Sequence, residues 1–143
     1  MAHFYSVKDY ELLEHTADIG IKVSAPNLKI LFQKCALAMF DIIAEPKKKS
    51  VVSKEIQIKL NTDDLDELFV TWLNELLSLS ATKELIFFDF DISKLDNTNL
   101  EAIAMGSDIE NYRLNTEIKA ATYHQLKVEE NKSGWQAEVI FDV

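Results

Sequence analysis

The chain of 143 residues has the length of one domain, and its 48% hydrophobic and 27% charged content is ordinary for a soluble globular protein. The lone Cys35 excludes an intrachain disulfide, and no apolar run approaches the ~20 residues that cross a bilayer, which excludes a membrane helix. A net charge of −9, with Arg113 the one arginine, argues against strong direct nucleic-acid binding, because that affinity rests on Lys and Arg neutralising phosphates; it suits a cation or a basic protein partner. The start, Met1 to Ser6, lacks the basic-then-apolar pattern of a secretory signal. Together these features predict a single domain over 1–143 in the reducing cytoplasm.

Tyr10 to Glu14 alternates as a short strand, and Ile19, Ile21 and Val23 alternate with Gly20, Lys22 and Ser24 as a second. Pro26 then breaks the pattern. Leu28, Leu31, Phe32, Cys35, Ala36, Met39 and Ile43 recur at helical spacing, with Lys29, Gln33 and Lys34 off the stripe. This predicts an amphipathic helix ending near Pro46, a buried structural Cys35, and a solvated loop from Glu45 to Ser50 that includes Lys47, Lys48 and Lys49. Ile56, Ile58 and Leu60 make a one-sided strand. Leu65, Leu68, Phe69, Trp72, Leu73 and Leu76 define a second helix, with Asn61 or Thr62 as its cap. Asp63, Asp64, Asp66 and Glu67 complement the positive end of that helix and are not read as a metal cluster.

Four strands complete the chain. Ile86, Phe88, Phe90 and Ile92 line one face of the first, and Leu100 to Met105 form the second, stopped by Gly106. Ser107 to Thr116 reads as a loop. Ile118, Ala120, Thr122, His124, Leu126 and Val128 line one face of the third, which makes His124 a core histidine. Asn131 to Gly134 turns the chain into a last strand with Trp135, Ala137, Val139, Phe141 and Val143 on one face and Asp142 on the other. The order predicts an α+β fold, with two amphipathic helices packed on one face of a mixed, largely antiparallel sheet.

Glu14-His15-Thr16-Ala17-Asp18-Ile19-Gly20 places ionisable groups where two strands meet. Carboxylates and one imidazole suit a hard or borderline divalent cation, although an aspartate in a strand connection also commonly bonds its own backbone. No glycine-rich phosphate loop, nucleophile elbow or paired Cys/His zinc spacing occurs in the sequence.

The stretch Tyr10 to Ile21 resembles the N-terminal signature of the archease family. The resemblance continues through Leu28 to Ile42, Trp72-Leu73-Asn74-Glu75-Leu76-Leu77, Ile118 to His124 and the closing Val139-Ile140-Phe141-Asp142-Val143. Archeases are small activators of the RtcB-type tRNA-splicing RNA ligase. That ligase seals tRNA halves with GTP and manganese through a guanylylated histidine of its own. The resemblance implies a non-catalytic accessory protein that promotes guanylylation and multiple turnover. It also implies a metal site at Asp18, Asp142 and Val143, calcium being favoured over magnesium or manganese. Glu14, His15 and Lys119 are candidates for facing the ligase or supporting the site. The chain departs from the family pattern at Ala25-Pro26-Asn27, where a glycine is common, and at Gly106-Ser107, where a Gly-Glu pair is common. The alternatives are a stand-alone metal-dependent hydrolase with His15 as base, and a chaperone-like scaffold module.

Overall fold

The computed structural model describes residues 10–14 and 18–143, with the backbone alone at Glu14. The elements run β1 (Glu11–Glu14), β2 (Asp18–Ala25), α1 (Leu28–Ile43), β3 (Ala44–Pro46), β4 (Lys54–Asn61), α2 (Leu65–Lys83), β5 (Leu85–Leu95) and β6 (Asn99–Asp108). After a 3₁₀ turn at Ile109–Asn111 come β7 (Tyr112–Leu114), β8 (Ala120–Ala121), β9 (Lys127–Asn131) and β10 (Gly134–Asp142). The fold is α+β. Its strands divide into a five-stranded sheet, a three-stranded sheet ordered β4-β6-β5 and a β3-β7 ribbon. In the five-stranded sheet β1, β2 and β10 lie side by side, and β8 and β9 share the far edge of β10. Every pairing among the described residues is antiparallel.

Both helices touch strands of both larger sheets, so the core lies between the sheets. Asn27 starts α1, its side chain accepting the Ile30 N–H at 2.9 Å. Because α1 meets β2 and β10 as well as β5, it is buried on more than one side. Gln33, off the apolar stripe in the sequence, is therefore 2% exposed, and its Nε2 donates to the Phe90 carbonyl at 3.0 Å. Cys35 is fully buried, as its place in the stripe predicts. The cap of α2 is Asp64, not Asn61 or Thr62. Its carboxylate accepts the Glu67 N–H while Glu67 accepts the Asp63 N–H, both at 2.8 Å, so these acids serve the helix start.

Four local expectations need correction. In β5 the register shifts between Phe87 and Asp89, and this bulge re-aims the strand so that Phe87 and Phe90 both enter the core, their rings 6.4 Å apart. Phe88 is only half-buried as a result. Gly106 does not end β6. It sits inside the strand, where an added Cβ would stand 3.1 Å from the Leu85 Cβ and 3.2 Å from the Phe87 Cδ1. The two stretches read as loops, from Glu45 and from Ser107, contribute to the β3-β7 ribbon, whose three-residue strands are too short to show a period. Lastly, the strand expected from Ile118 to Val128 is two pieces. Both pair with β10, but Tyr123 to Leu126 arches away between them, with Gln125 left-handed at φ 52°. His124 is exposed on that arch and is not a core residue.

Candidate functional site

Strand β2 is the first central strand of the five-stranded sheet and begins at Asp18; β10 is its neighbour and ends at Asp142. The register pairs Val139 with Ile21, Phe141 with Ile19 and Asp142 with Asp18. Ile21, Val139 and Phe141 are fully buried. Side chains alternate along a strand, and Ile21, Val139 and Phe141 belong to the main core whereas the buried Ile140 of the alternate set does not, so Asp18 and Asp142 take the opposite face. The Asp142 carbonyl accepts the Lys119 N–H at 2.8 Å, which turns the backbone polar groups of this residue toward β8 and away from β2. Asp18 and Asp142 therefore form a non-hydrogen-bonded pair, the kind whose Cα atoms stand about 4.5 Å apart and whose side chains lie closer.

Two like charges directly opposite each other across a ladder repel. Asp18 is half-buried and Asp142 exposed, so water screens part of that repulsion. Val143 follows Asp142 directly in the chain, its side chain packed against the core. Two carboxylates and backbone oxygen are hard donors of the type that calcium, magnesium and manganese accept, so the residues present fit such an ion. Among the described residues no three His, Cys, Asp or Glu side chains cluster as a metal site, so an ion here would draw on backbone oxygen or water as well.

The other candidates are placed as follows. Glu14 ends β1, its backbone opposite Ile19. His15 lies outside the described residues. Lys119 enters the site through its backbone N–H, and its side chain is exposed. The Asp18 side borders a cleft lined also by Tyr10, Leu12, Ile19, Ile42 and Thr116.

Two supporting contacts escaped the sequence reading. Tyr10 donates its hydroxyl to the Asp41 carboxylate of α1 at 2.6 Å. Burial first, and then the hydrogen bond and charge of Asp41, push the Tyr10 phenol well above its ordinary range. On the other flank Asn74 of α2 bonds both backbone groups of Ala121, at 2.8 and 3.1 Å. The one available signal was a polar residue between the buried Leu73 and Leu76. Burial also pushes the Cys35 thiol far up, which makes it a poor nucleophile.

The chain matches the model of the Archease protein family over residues 10–143. It is 38% identical to the protein archease of Methanosarcina acetivorans over 142 residues, covering 95% of this chain and 97% of the relative. It is 36% identical to that of Pyrococcus abyssi over 145 residues, covering 96% of this chain and all of the relative. The solution structure of Methanobacterium thermoautotrophicum protein 1598 superposes with a TM-score of 0.80 at 29% identity, over 95% of this chain and 99% of that one. A crystal structure from Thermotoga maritima, described as an archease and possible chaperone, shares the fold with a TM-score of 0.63 at 22% identity, over 92% and 94% of the two chains.

Proposed function

The chain belongs to the archease family, and from that premise we propose that it is a non-catalytic activator of an RtcB-type tRNA-splicing RNA ligase. It promotes guanylylation of the ligase with GTP, and hence multiple turnover in tRNA splicing, through a divalent-cation site on Asp18, Asp142 and Val143. The observation that carries this reading is the register that sets Asp18 directly opposite Asp142 on one face of adjacent strands. A bound cation, calcium first and magnesium or manganese next, would offset the repulsion of the facing carboxylates and stiffen this end of the sheet. The protein's own residues hold that end in shape. Lys119 anchors the Asp142 backbone, and Val143 ties the last turn of chain to the core.

The net charge of −9 suits a basic, RNA-handling partner and a role without direct RNA contact. No helix among the described residues is long and apolar enough to cross a membrane; the reducing cytoplasm is the proposed site of action, in keeping with the lone Cys35. Guanylylation of the cognate ligase, followed with labelled GTP in the presence and absence of this protein, is the test. The wild-type chain should accelerate labelling, and Asp18→Ala or Asp142→Ala should abolish the acceleration. Undiminished acceleration by both variants would remove the site from the mechanism, and none by the wild type would remove the function.

A further inference from the structure

Asparagine gains little from the interior of a helix, because its side chain competes for backbone hydrogen bonds. Asn74 nevertheless sits in the middle of α2, and both ends of its amide are engaged. Its Oδ1 accepts the Ala121 N–H at 2.8 Å and its Nδ2 donates to the Ala121 carbonyl at 3.1 Å. A neighbouring strand would make this same reciprocal pair. β8 is two residues long, and its flanks bond β10: the Lys119 N–H reaches the Asp142 carbonyl at 2.8 Å, and the Thr122 N–H reaches the Ile140 carbonyl at 3.0 Å. The Thr122 hydroxyl donates to the same Ile140 carbonyl at 2.8 Å. Ala121 turns the other way, toward α2, where Asn74 stands in for the missing strand. Beyond Thr122 the chain leaves the sheet for the arch, so no longer ladder holds β8 in place.

Asp142 closes β10. Its orientation rests on its lateral partners, Asp18 on one side and the 119–120 segment on the other. We infer that Asn74 is a positioning residue for the cation site: by closing the outer edge of β8 it fixes the segment that anchors the Asp142 backbone, and so aims the Asp142 carboxylate at Asp18. This rests on the metal reading of the Asp18–Asp142 pair. Alanine at this position would supply neither bond to Ala121, and aspartate would keep the acceptor and lose the donor.

The test combines calcium titration calorimetry with amide hydrogen exchange on the full chain, below the melting temperature of each variant. Asn74→Ala should weaken calcium binding by about 10-fold or more, as loss of a group that orients a ligand does. It should also speed exchange of the Lys119 and Ala121 amides while leaving Ile58 of β4, in the other sheet, unchanged. Asn74→Asp should lose less protection at Ala121 than Asn74→Ala, and it serves alone if the alanine variant does not fold. Wild-type calcium affinity in the variants, or unchanged exchange at Lys119, would overturn the inference. If the wild-type chain takes up neither calcium nor manganese, the metal reading falls, and the exchange rates still decide whether Asn74 holds β8.

Discussion

The two larger sheets are built from the same strand chemistry to different ends. In the three-stranded sheet β4 and β6 pair without a break from Lys54–Gly106 to Asn61–Asn99, and the side chains of its central strand reach a common core. Among the described residues of the five-stranded sheet only β2 and β10 pair over eight residues; β1 has four residues and β8 two. Its fragmentary edges are held by side chains, Asp41 accepting from Tyr10 at one edge and Asn74 both accepting from and donating to Ala121 at the other. A continuous ladder supplies rigidity through backbone bonds alone. A broken ladder leaves strand ends where charged residues can gather, and each helix lends a polar side chain to compensate.

The largest expected effect would abolish the contrast. Trp72 is fully buried, donates its indole N–H to the Phe32 carbonyl at 3.1 Å and stands edge-on to Phe90 of β5 at 5.6 Å. Trp72→Ala should cost about 3–5 kcal/mol. Urea unfolding followed by far-UV circular dichroism and by amide exchange should show both sheets lost in one transition. A surviving three-stranded sheet would mean that the two are separate folding units.

A smaller effect should separate the sheets. At Gly106, in the central strand β6, a Cβ would meet Leu85 at 3.1 Å and Phe87 at 3.2 Å, with β4 and β5 on either side to prevent relief. At Gly20 it would meet the Leu13 Cβ at 3.0 Å, but Leu13 belongs to the short edge strand β1, which can give way. Gly106→Ala should cost about 1–2 kcal/mol by overpacking. Gly20→Ala should come out within about 0.5 kcal/mol of neutral, since its crowding is offset by the reduced entropy of the unfolded chain. Melting temperatures in the reverse order would show β1 to be the more rigid element.

The smallest effect concerns the β1 latch. Tyr10→Phe should cost about 1 kcal/mol, the net worth of one hydrogen bond. The Tyr10 phenol titrates higher in the fold than its ordinary value of 10.0. Its contribution is therefore complete below pH ~10 and lost as the pH rises toward the folded-state value. Stability curves of wild type and Tyr10→Phe should run parallel at neutral pH and converge above pH ~10. A constant gap across that range would show that the hydroxyl contributes nothing through Asp41.

Both helices were legible because apolar residues at helical spacing report burial directly, and β2, β4 and β10 were legible through clean alternation. The arch at Tyr123 to Leu126 was not, because Ile118 to Val128 alternates without a break, whereas the two pieces pair with different stretches of β10. Gln33 was misread for a related reason. A polar side chain on a helix can be buried whenever a second sheet covers its flank and offers a carbonyl, here that of Phe90.

By itself the sequence determined the α+β class, the two helices, the buried thiol and, through its motifs, the resemblance to the archease family. Those are properties of periodicity, composition and short signatures, which local physics writes into neighbouring residues. Only the tertiary structure decided that Asp18 stands directly opposite Asp142, that the pair lies on the face away from the core, and that Asn74 closes the edge beside it. These residues lie far apart along the chain. Strand register across that distance is set by which apolar side chains must enter a common core, and a slip of one residue would turn every side chain of the strand to the other face.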